Sequence, residues 1–235
     1  MSHLILDGAH LALPDVADVA TWESDPSRAP PITDGYARDR SKVRAVMLHT
    51  SRGRRGAQLR EGSRSSTRAE ALARYQATTA RDVSWHLTID TDGTVLQSAD
   101  PAQWMAWHCG HANGWTVGIE IVQHPDSPDL WTVQLAAVVA VVGVLCDAFA
   151  IPRRVLVDAT GSPWTQPVQR MLSPLARDRA GKLLGGKGER WGGVIGHCHV
   201  VPDHVRGPGD PGDLPFRALL DAGWEGTELA AMAPA

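Results

Sequence analysis

The sequence predicts an α/β protein with a central mixed β-sheet flanked by helices in a single domain. Three observations support this prediction: short runs rich in β-branched residues, longer apolar or capped runs, and a turn signal between two of the short runs. That turn signal is Asp92-Gly93, which favours a tight hairpin. Strands mixed with helices, with only some strands joined by a hairpin, indicate a mixed sheet. The predicted strands occupy residues 42–50, 84–90, 94–97, 116–122 and 193–197.

Three segments are predicted to be helical. Residues 133–151 form an apolar run, and Asp147 within it favours a buried core helix over a membrane span. Thr67 and Glu70 form a capping box, which predicts the start of another helix. Residues 214–223 are predicted to form a short closing helix. Helices of these lengths are sufficient to flank one sheet.

A chain of 235 residues suits one domain with elaborations. The polar, proline-containing start of the chain is predicted to be an arm that wraps the domain. The stretch rich in Arg, Pro and Gly after the long apolar helix is predicted to be an insertion or lid. The predicted boundaries are an arm at 1–40, a domain at 41–224 with the insertion or lid at 153–190, and a C-terminal tail at 225–235.

The composition restricts the possible partners. A formal net charge of −3 gives no overall attraction to nucleic acid or to an anionic membrane, so we expect neither as a partner. Three cysteines, an odd and sparse number, argue against a disulfide scaffold. The first residues lack the basic and apolar stretches of a secretory signal, so we expect synthesis in the cytoplasm. We also expect a monomer.

The ten histidines carry the functional argument, because several lie at predicted strand ends or in glycine-rich loops. His49 and His197 each lie at the end of a predicted strand, where a rigid sheet would direct both side chains into one groove. Asp210 precedes Pro-Gly, which favours a tight turn. Two histidines and a carboxylate form the donor set of a catalytic zinc site with one position left for water. Other third ligands that the chemistry leaves open are Cys198, His199, Asp203 and His204.

The same residues lie in segments that match a known family. The segments are VMLHT at 46–50, SWHLTID at 84–90, DGTV at 92–95, AWHCG at 106–110, VGIEIV at 117–122, GH at 196–197 and DPG at 210–212. In this order they resemble the type-2 N-acetylmuramoyl-L-alanine amidases, whose fold is shared with peptidoglycan recognition proteins and many phage endolysins. The resemblance covers about residues 43–220. It implies hydrolysis of the amide bond between N-acetylmuramic acid and L-alanine of peptidoglycan, with zinc as cofactor.

The resemblance also implies roles for individual residues. His49, His197 and Asp210 correspond to zinc (Zn²⁺) ligands, and the metal would lower the pKa of its water and polarise the scissile carbonyl. Glu120 corresponds to an acidic residue that takes the proton from this water and passes it to the leaving amine. Some relatives have a tyrosine where this chain has Trp85. Because an indole cannot act as an acid, the proton transfers depend more heavily on Glu120.

Further residues are expected to line the groove. His108 matches a groove position of the family, and Trp107 beside it is expected to stack against sugar rings or the stem peptide. His86 and His199 are further candidates for substrate contact. The alternative role for His86 is to support the hairpin. The remaining tryptophans of this region, which either stack on substrate or fill the core, are Trp104 and Trp115.

The chain departs from the family pattern in its last loop. Pro208 stands where family members usually have a lysine that donates to the oxyanion, and the spacing from His197 to Asp210 is longer than is common. Arg206 or His204 could stabilise the negative charge on the tetrahedral intermediate from this longer loop. Arg206 is favoured because its charge is permanent.

Together these features predict a zinc amidase that acts on peptidoglycan or muropeptides. A phage or prophage endolysin, which reaches the cell wall at lysis or by another route of secretion, fits best. A cytosolic amidase that recycles wall fragments is one alternative. Another is a protein that binds peptidoglycan without cleaving it, and a second function in binding a host protein is not addressed by the sequence.

Overall fold

The computed structural model describes residues 2–14, 16, 18–52, 66–123, 130–166, 192–200 and 211–228. In these ranges the strands are β1 His3–Leu6, β2 Ala9–Ala12, β3 Val19–Thr21, β4 Tyr36–Ala37, β5 Ala45–Arg52, β6 Leu87–Ile89, β7 Val95–Gln97, β8 Trp104–Met105, β9 Thr116–Gln123, β10 Arg154–Val157, β11 Gly193–Gly196 and β12 Glu225–Glu228. The helices are α1 Ser66–Thr78, α2 Thr132–Phe149, α3 His197–Val200 and α4 Leu214–Asp221, with 3-10 turns at Arg40–Lys42 and Gly110–Trp115.

Eight of these strands form the central sheet, in the order β12-β10-β11-β5-β9-β6-β7-β3. The six strands from β12 to β6 run parallel to one another, whereas β7 and β3 run antiparallel to them. The predicted mixed sheet is therefore confirmed. β6 and β7 form the predicted hairpin, in which Gly93 has φ +82° and donates its N–H to the Asp90 carbonyl at 3.0 Å.

Helix α2 covers one face of the sheet. Its fully buried Val138, Val141 and Leu145 belong to the same apolar cluster as Leu48 and Ile119 of the two central strands. Among the described helices only α2 is long and apolar enough to cross a membrane by length and composition. Its packing against the sheet is that of the predicted core helix, and each Å² of apolar area that it buries stabilises the fold by about 25 cal/mol.

The opposite face of the sheet has two smaller apolar clusters with polar residues between them. Ala69 and Ala73 of α1 pack on Leu96 and Val122 at one end. Met47 and Ile195 pack with the 3-10 turn at the other end. The candidate site lies on this face, because the polar side chains of the central strands point to it.

The structure corrects the predicted boundaries at both ends of the chain. The first 40 residues join the domain, since β1 buries Leu4 and Leu6 in the main core and β3 is an edge strand of the sheet. The predicted tail begins with β12, which pairs in parallel with β10. An edge strand is held by backbone hydrogen bonds, so the polar sequence of Glu225–Glu228 gives no hydrophobic pattern.

The predicted insertion or lid at 153–190 is also corrected in part. Arg154–Val157 forms strand β10 in the interior of the sheet, with three buried residues. The strand was not predicted from the sequence because the residues beside it are rich in Arg and Pro. Most of the remaining predicted insertion, from residue 167 onward, lies outside the described residues.

Candidate active site

The candidate site is a row of polar side chains across the central strands. His49 of β5 pairs with Glu120 of β9, and Glu120 pairs with Thr88 of β6. Residues in register on neighbouring strands share a face of the sheet, so these three side chains point the same way. As strand alternation predicted, Ile119 points into the core on the opposite face, while Glu120 is only partly buried.

His197 extends this row from the next strand. β11 ends at Gly196, which pairs with Leu48, so the following residue lies beside His49. The imidazole rings of His49 and His197 have centroids 4.8 Å apart at an interplanar angle of 42°. Two imidazoles on one tetrahedral zinc ion, with Zn–N distances of about 2.0–2.1 Å, place their centroids on the order of 5 Å apart. The two rings therefore fit a shared metal ion.

The prediction that His197 ends a strand is wrong. His197 begins the helical turn α3. The Nδ1 of His199 accepts the N–H of Gly196 at 3.0 Å, and this contact favours the turn, as a side-chain acceptor at a helix N-terminus does. In a helical turn His197 and His199 point in different directions. An extended strand would instead have placed both side chains on one face.

The predicted third ligand, Asp210, lies outside the described residues, as do His204 and Arg206. Within the described ranges no group of three or more His, Cys, Asp or Glu side chains is arranged to hold a metal ion. Pro211 is described, and its Cδ lies only 2.6 Å from where a Cβ on Gly196 would be. Pro211 therefore approaches Gly196 so closely that only glycine fits at position 196. These two residues are the chain neighbours of Asp210 and His197.

His108 contacts the row from the loop before β9. Its Nδ1 lies 3.0 Å from His49 Nε2, and its Nε2 lies 3.2 Å from the hydroxyl of Thr116. That hydroxyl donates its single proton to the Ala112 carbonyl at 2.8 Å, so it can only accept from His108. His108 therefore carries its proton on Nε2 and presents a lone pair on Nδ1. His49 must then donate from Nε2, which leaves its Nδ1 as the nitrogen with a lone pair for a metal.

Burial lowers the pKa of His108 well below the usual value, and its neighbours His86 and Arg38 act in the same direction. A neutral ring agrees with the hydrogen-bond pattern. Gly118 makes room for this ring, because a Cβ at that position would lie 2.6 Å from His108 Cγ. The sequence analysis did not identify this role of Gly118, although a glycine inside a strand indicates close approach of another group.

His86 and His199 are each held by two backbone groups. His86 accepts the Gly118 N–H at Nδ1 and donates from Nε2 to the Trp104 carbonyl, both at 3.0 Å. His199 accepts at Nδ1 from Gly196 and donates from Nε2 to the Trp164 carbonyl at 2.6 Å. Both rings are fully buried. Substrate contact by these two histidines stays a prediction, and their contacts argue against it.

Burial lowers the pKa of His86 to about 3, with the positive charge of Arg38 as a further cause. Burial likewise lowers the pKa of His199 to about 4. Both rings are therefore neutral supports for neighbouring backbone. For His86 this agrees with the alternative role in supporting the hairpin.

Arg38 is a buried cation that the sequence analysis did not single out. Its guanidinium donates to the carbonyls of Pro101, Asn113 and Thr116 at 3.1, 2.7 and 2.8 Å. Burial lowers the pKa of Arg38 to about 10. Because its charge disfavours a second cation nearby, it helps to keep His86 and His108 neutral.

The tryptophans of this region differ in exposure. Trp107 is partly buried, donates from Nε1 to the Asp34 carbonyl at 2.8 Å and packs edge-to-face on Tyr36. Trp115 is a core residue covered by the guanidinium of Arg44 at 4.7 Å. Trp104 has 44% of its surface exposed, unusual for such a large apolar side chain.

Trp85 is buried next to the row. Its Nε1 donates to the hydroxyl of Thr88 at 2.7 Å, and its backbone N–H donates to Gln76 of α1. The indole thus positions the neighbour of Glu120 in the sheet and has no proton to exchange at neutral pH. This geometry agrees with the expectation that Trp85 plays no acid–base role.

The mixed sheet, the histidine pair and the adjacent glutamate agree with the class of protein expected from the sequence, an amidase. A family model described as N-acetylmuramoyl-L-alanine amidase matches residues 39–213. The chain belongs to this family, and the resemblance is confirmed. Hydrolysis of an amide bond of peptidoglycan is the activity that the family name describes.

Solved structures that are similar to this chain include three at low sequence identity. The endolysin N-acetylmuramoyl-L-alanine amidase LysCS from Clostridium intestinale URNW is 11% identical, with 89% of this chain and 98% of that chain covered and a TM-score of 0.47. The Staphylococcus aureus hydrolase AmiA in complex with its ligand is 10% identical, with 88% and 86% covered and a TM-score of 0.47. Drosophila peptidoglycan recognition protein SA is 15% identical, with 55% and 72% covered and a TM-score of 0.42. A search of curated proteins gives no match. The family assignment rests on the family model.

Proposed function

We propose that this chain is a zinc-dependent amidase that hydrolyses the bond between N-acetylmuramic acid and L-alanine in peptidoglycan or muropeptides. The observation that carries the proposal is the convergence of His49 on β5, Glu120 on β9 and His197, at the start of the turn that follows β11, on one face of the sheet. Family membership supplies the reaction class. The convergence supplies a metal-binding pair and a carboxylate beside it.

His49, His197 and Asp210 would hold the zinc ion. The 4.8 Å separation of the two imidazole rings supports the first two ligands. The tight contact of Pro211 with Gly196 supports the third, because Asp210 is the preceding residue in the chain. When bound, zinc supplies a Lewis acid for the scissile carbonyl and for the attacking water.

Glu120 is the general base in this proposal. It lies between His49 and Thr88 in the sheet register and is partly exposed on the site face. From this position its carboxylate would take a proton from the attacking water and deliver it to the leaving amine of L-alanine. Arg206, or in its place His204, would stabilise the negative charge that develops on the carbonyl oxygen.

His108 would act mainly by orienting His49. Its lone pair accepts from His49 Nε2, so the His49 ring is fixed with Nδ1 toward the metal. Hydrogen bonds of this kind raise the basicity of a ligand and set its tautomer. Trp107, which packs on Tyr36 beside this loop, would line the groove for the substrate.

A phage or prophage endolysin is the biological role that we propose. An amidase that recycles wall fragments would have the same site and differ in preferring small muropeptides over intact walls. A protein that binds peptidoglycan without cleaving it would lack a competent metal site. The endolysin cleaves intact walls, the recycling amidase cleaves small muropeptides and the binding protein cleaves neither. One set of assays therefore separates the three roles.

The test combines metal analysis with identification of the product. Purified full-length protein should contain one zinc per chain, lose activity on chelation and regain it when zinc is added. Digestion of purified walls should create new L-alanine amino termini that mass spectrometry can identify. Zinc-free protein that binds walls and releases no amino termini would contradict the proposal and favour the binding role. Cleavage of muropeptides but not of walls would favour recycling.

A further inference from the structure

The hairpin of β1 and β2 is held firmly on the domain. Its turn, Asp7-Gly8, has positive φ angles of 54° and 73°, as a tight two-residue hairpin turn requires. Leu4 of β1 lies in the main core. The side chain of Gln97 accepts the Ile5 N–H at 2.8 Å and donates to the Ile5 carbonyl at 2.7 Å. Side chains on the other face of the hairpin therefore project from a fixed backbone.

Two histidines lie side by side on the face of the hairpin opposite to Leu4. In the antiparallel register His10 is directly opposite Ile5, and Ala12 is directly opposite His3. Successive side chains of a strand alternate between the faces, and residues directly opposite each other share a face. His3 and His10 are therefore diagonal neighbours on one face, a spacing that long side chains can bridge. Their ring centroids are 6.0 Å apart.

The fold does not use the ring nitrogens of this pair. Within the part of the chain that the structure describes, neither imidazole has a hydrogen bond or an ion pair, and the two rings meet edge-to-face at 74°. His10 is exposed and His3 is partly exposed, so ions from solvent reach both rings. The buried His86 and His199, by contrast, use both ring nitrogens to hold backbone groups.

The charges near the hairpin favour a cation. The chain has no Lys or Arg before Arg28, whereas five Asp or Glu residues lie in that stretch. Arg40, which reaches the turn of the hairpin, is neutralised by an ion pair with Asp7 at 3.0 Å. An excess of negative charge raises the local concentration of cations. A metal ion at the histidine pair therefore meets no unpaired basic side chain of this segment.

Two free imidazoles at this separation suit one divalent transition-metal ion. Imidazole is a ligand for Cu²⁺, Ni²⁺ and Zn²⁺, and among these ions the affinity is greatest for Cu²⁺. With Zn–N distances of about 2.0–2.1 Å, two rings on one tetrahedral ion have centroids on the order of 5 Å apart, so a movement of about 1 Å suffices. Small rotations about the side-chain bonds of exposed rings supply this movement.

We propose that His3 and His10 form a surface site that binds one divalent transition-metal ion, Cu²⁺ most tightly, and links β1 to β2. The site is separate from the histidine row, because the hairpin is a sheet of its own, and the inference does not depend on the proposed function. Water would complete the coordination. Once one imidazole holds the ion, the second is already in place, so the pair should bind about 100-fold more tightly than one imidazole.

Titration of the zinc-loaded, full-length protein with Cu²⁺ tests the pair. The EPR spectrum should show one Cu²⁺ bound in addition to the zinc, with splitting from two imidazole nitrogens. His3→Ala and His10→Ala should each raise the Kd for Cu²⁺ about 100-fold, measured by competition with a chelator. Zinc content and amidase activity should stay within about twofold of the wild type, because the hairpin is not part of the central sheet.

The matched control keeps the number of histidines. His10→Ala combined with Ala9→His moves one imidazole to the opposite face of β2, at a position that is exposed. This double variant should bind Cu²⁺ as weakly as His10→Ala. Binding as tight as that of the wild type would overturn the pair. So would a Kd that rises in His3→Ala and stays unchanged in His10→Ala.

A second measurement needs no variant. Substoichiometric Cu²⁺ should broaden the imidazole NMR signals of His3 and His10 before those of the other histidines. At a hundredfold excess over its Kd, Cu²⁺ should raise the melting temperature by on the order of 5 °C, because the unfolded chain does not hold the two rings together. Broadening that begins at other histidines, or an unchanged melting temperature, would contradict the proposed site.

Discussion

Thr116 determines which nitrogen of His49 can bind a metal. Its hydroxyl proton goes to the Ala112 carbonyl, so it accepts from His108, and His108 accepts from His49 in turn. The hydrogen bonds of Thr116 and His108 therefore fix which ring nitrogen of His49, the candidate metal ligand, carries the proton. This arrangement has a consequence for zinc affinity that does not depend on turnover.

Replacing Thr116 by Val keeps the shape of the buried side chain but removes the acceptor for His108 Nε2–H. We expect zinc affinity to fall about 10–100-fold, the usual effect of losing such an outer hydrogen bond. Thr116→Ser keeps the hydroxyl and serves as the control. Competition with a chromophoric chelator measures both. Equal zinc affinity in the Val and Ser variants would show that the tautomer is not set in this way.

Glu120→Gln tests the proposed base at the same scale. The amide keeps the size and the position on β9 but cannot take a proton. Turnover should fall by about a hundredfold or more, while zinc content and the melting temperature stay near those of the wild type. Thermal unfolding and metal analysis are the controls. Near-normal turnover by a folded, zinc-loaded variant would remove Glu120 from the mechanism.

At the scale of elements, the central strands β5, β9 and β11 were predictable, whereas the interior strand β10 and the edge strands β3 and β12 were not. β5, β9 and β11 each contain adjacent or alternating apolar residues (VML, VGIEIV and VI), because most of their side chains are packed on both sides of the sheet. β12 is polar, since its backbone alone carries the pairing. The turn at α3 was missed for a different reason. It depends on His199 accepting from Gly196, a contact that strand and helix propensities do not contain.

The reassignment of residues 225–228 from tail to strand leads to an element-scale prediction. β12 pairs with β10 over four positions, so a chain ending at Trp224 exposes the edge of β10. We expect that truncation to lower the unfolding free energy by roughly 2 kcal/mol, given about 0.5–1.5 kcal/mol per net hydrogen bond. It should also promote aggregation through the new edge.

The matched control for this truncation is a chain that ends at Glu228. It removes the remaining seven residues and keeps the whole of β12. Urea unfolding of the two truncated proteins and the full chain gives the comparison. The same midpoint for all three would mean that residues 225–228 behave as the tail that the sequence suggested.

At the scale of the whole molecule, the sequence motifs predicted which segments carry the candidate site but not how the fold assembles them. The segments that carry His49, His86, Glu120 and His197 follow one another along the chain as β5, β6, β9 and β11. In space the order is β11-β5-β9-β6. Parallel strands require crossovers, and the sequence does not specify which edge each crossover joins. The resemblance predicted which residues converge, and the register shows how.

Buried histidines also give the whole molecule a dependence on pH. The pKa values of His86 and His199 are about 3 and about 4 in the folded protein, against 6.5 for an ordinary histidine, and His108 shifts in the same direction. Between these values the unfolded chain binds protons that the folded chain does not. Their contribution to stability is therefore complete above pH 6.5 and is lost as the pH falls.

Asp90 acts in the opposite direction. Burial raises its pKa from 3.8 to about 6, so between these values the folded protein holds a proton that the unfolded chain has released. Lowering the pH through this window therefore stabilises the fold at Asp90. Asp90 offsets about one of the three histidines, and Asp100, whose pKa burial also raises, acts in the same direction, so a net uptake of about one to two protons on unfolding remains near pH 5.

We therefore expect the zinc-free protein to lose on the order of 1–3 kcal/mol of unfolding free energy per pH unit near pH 5, at about 1.4 kcal/mol per proton. Urea unfolding at pH 7, 6 and 5 with a chelator present measures this slope without competition between zinc and protons for histidine. His199→Gln removes one titrating ring and should make the slope shallower by about 1.4 kcal/mol per pH unit, although the variant starts from a lower stability. Stability that is constant between pH 7 and pH 5 would mean that the three histidines are not held neutral by the fold. The hydrogen-bond pattern that assigns Nδ1 of His49 to the metal would then lose its basis as well, since it requires a neutral His108.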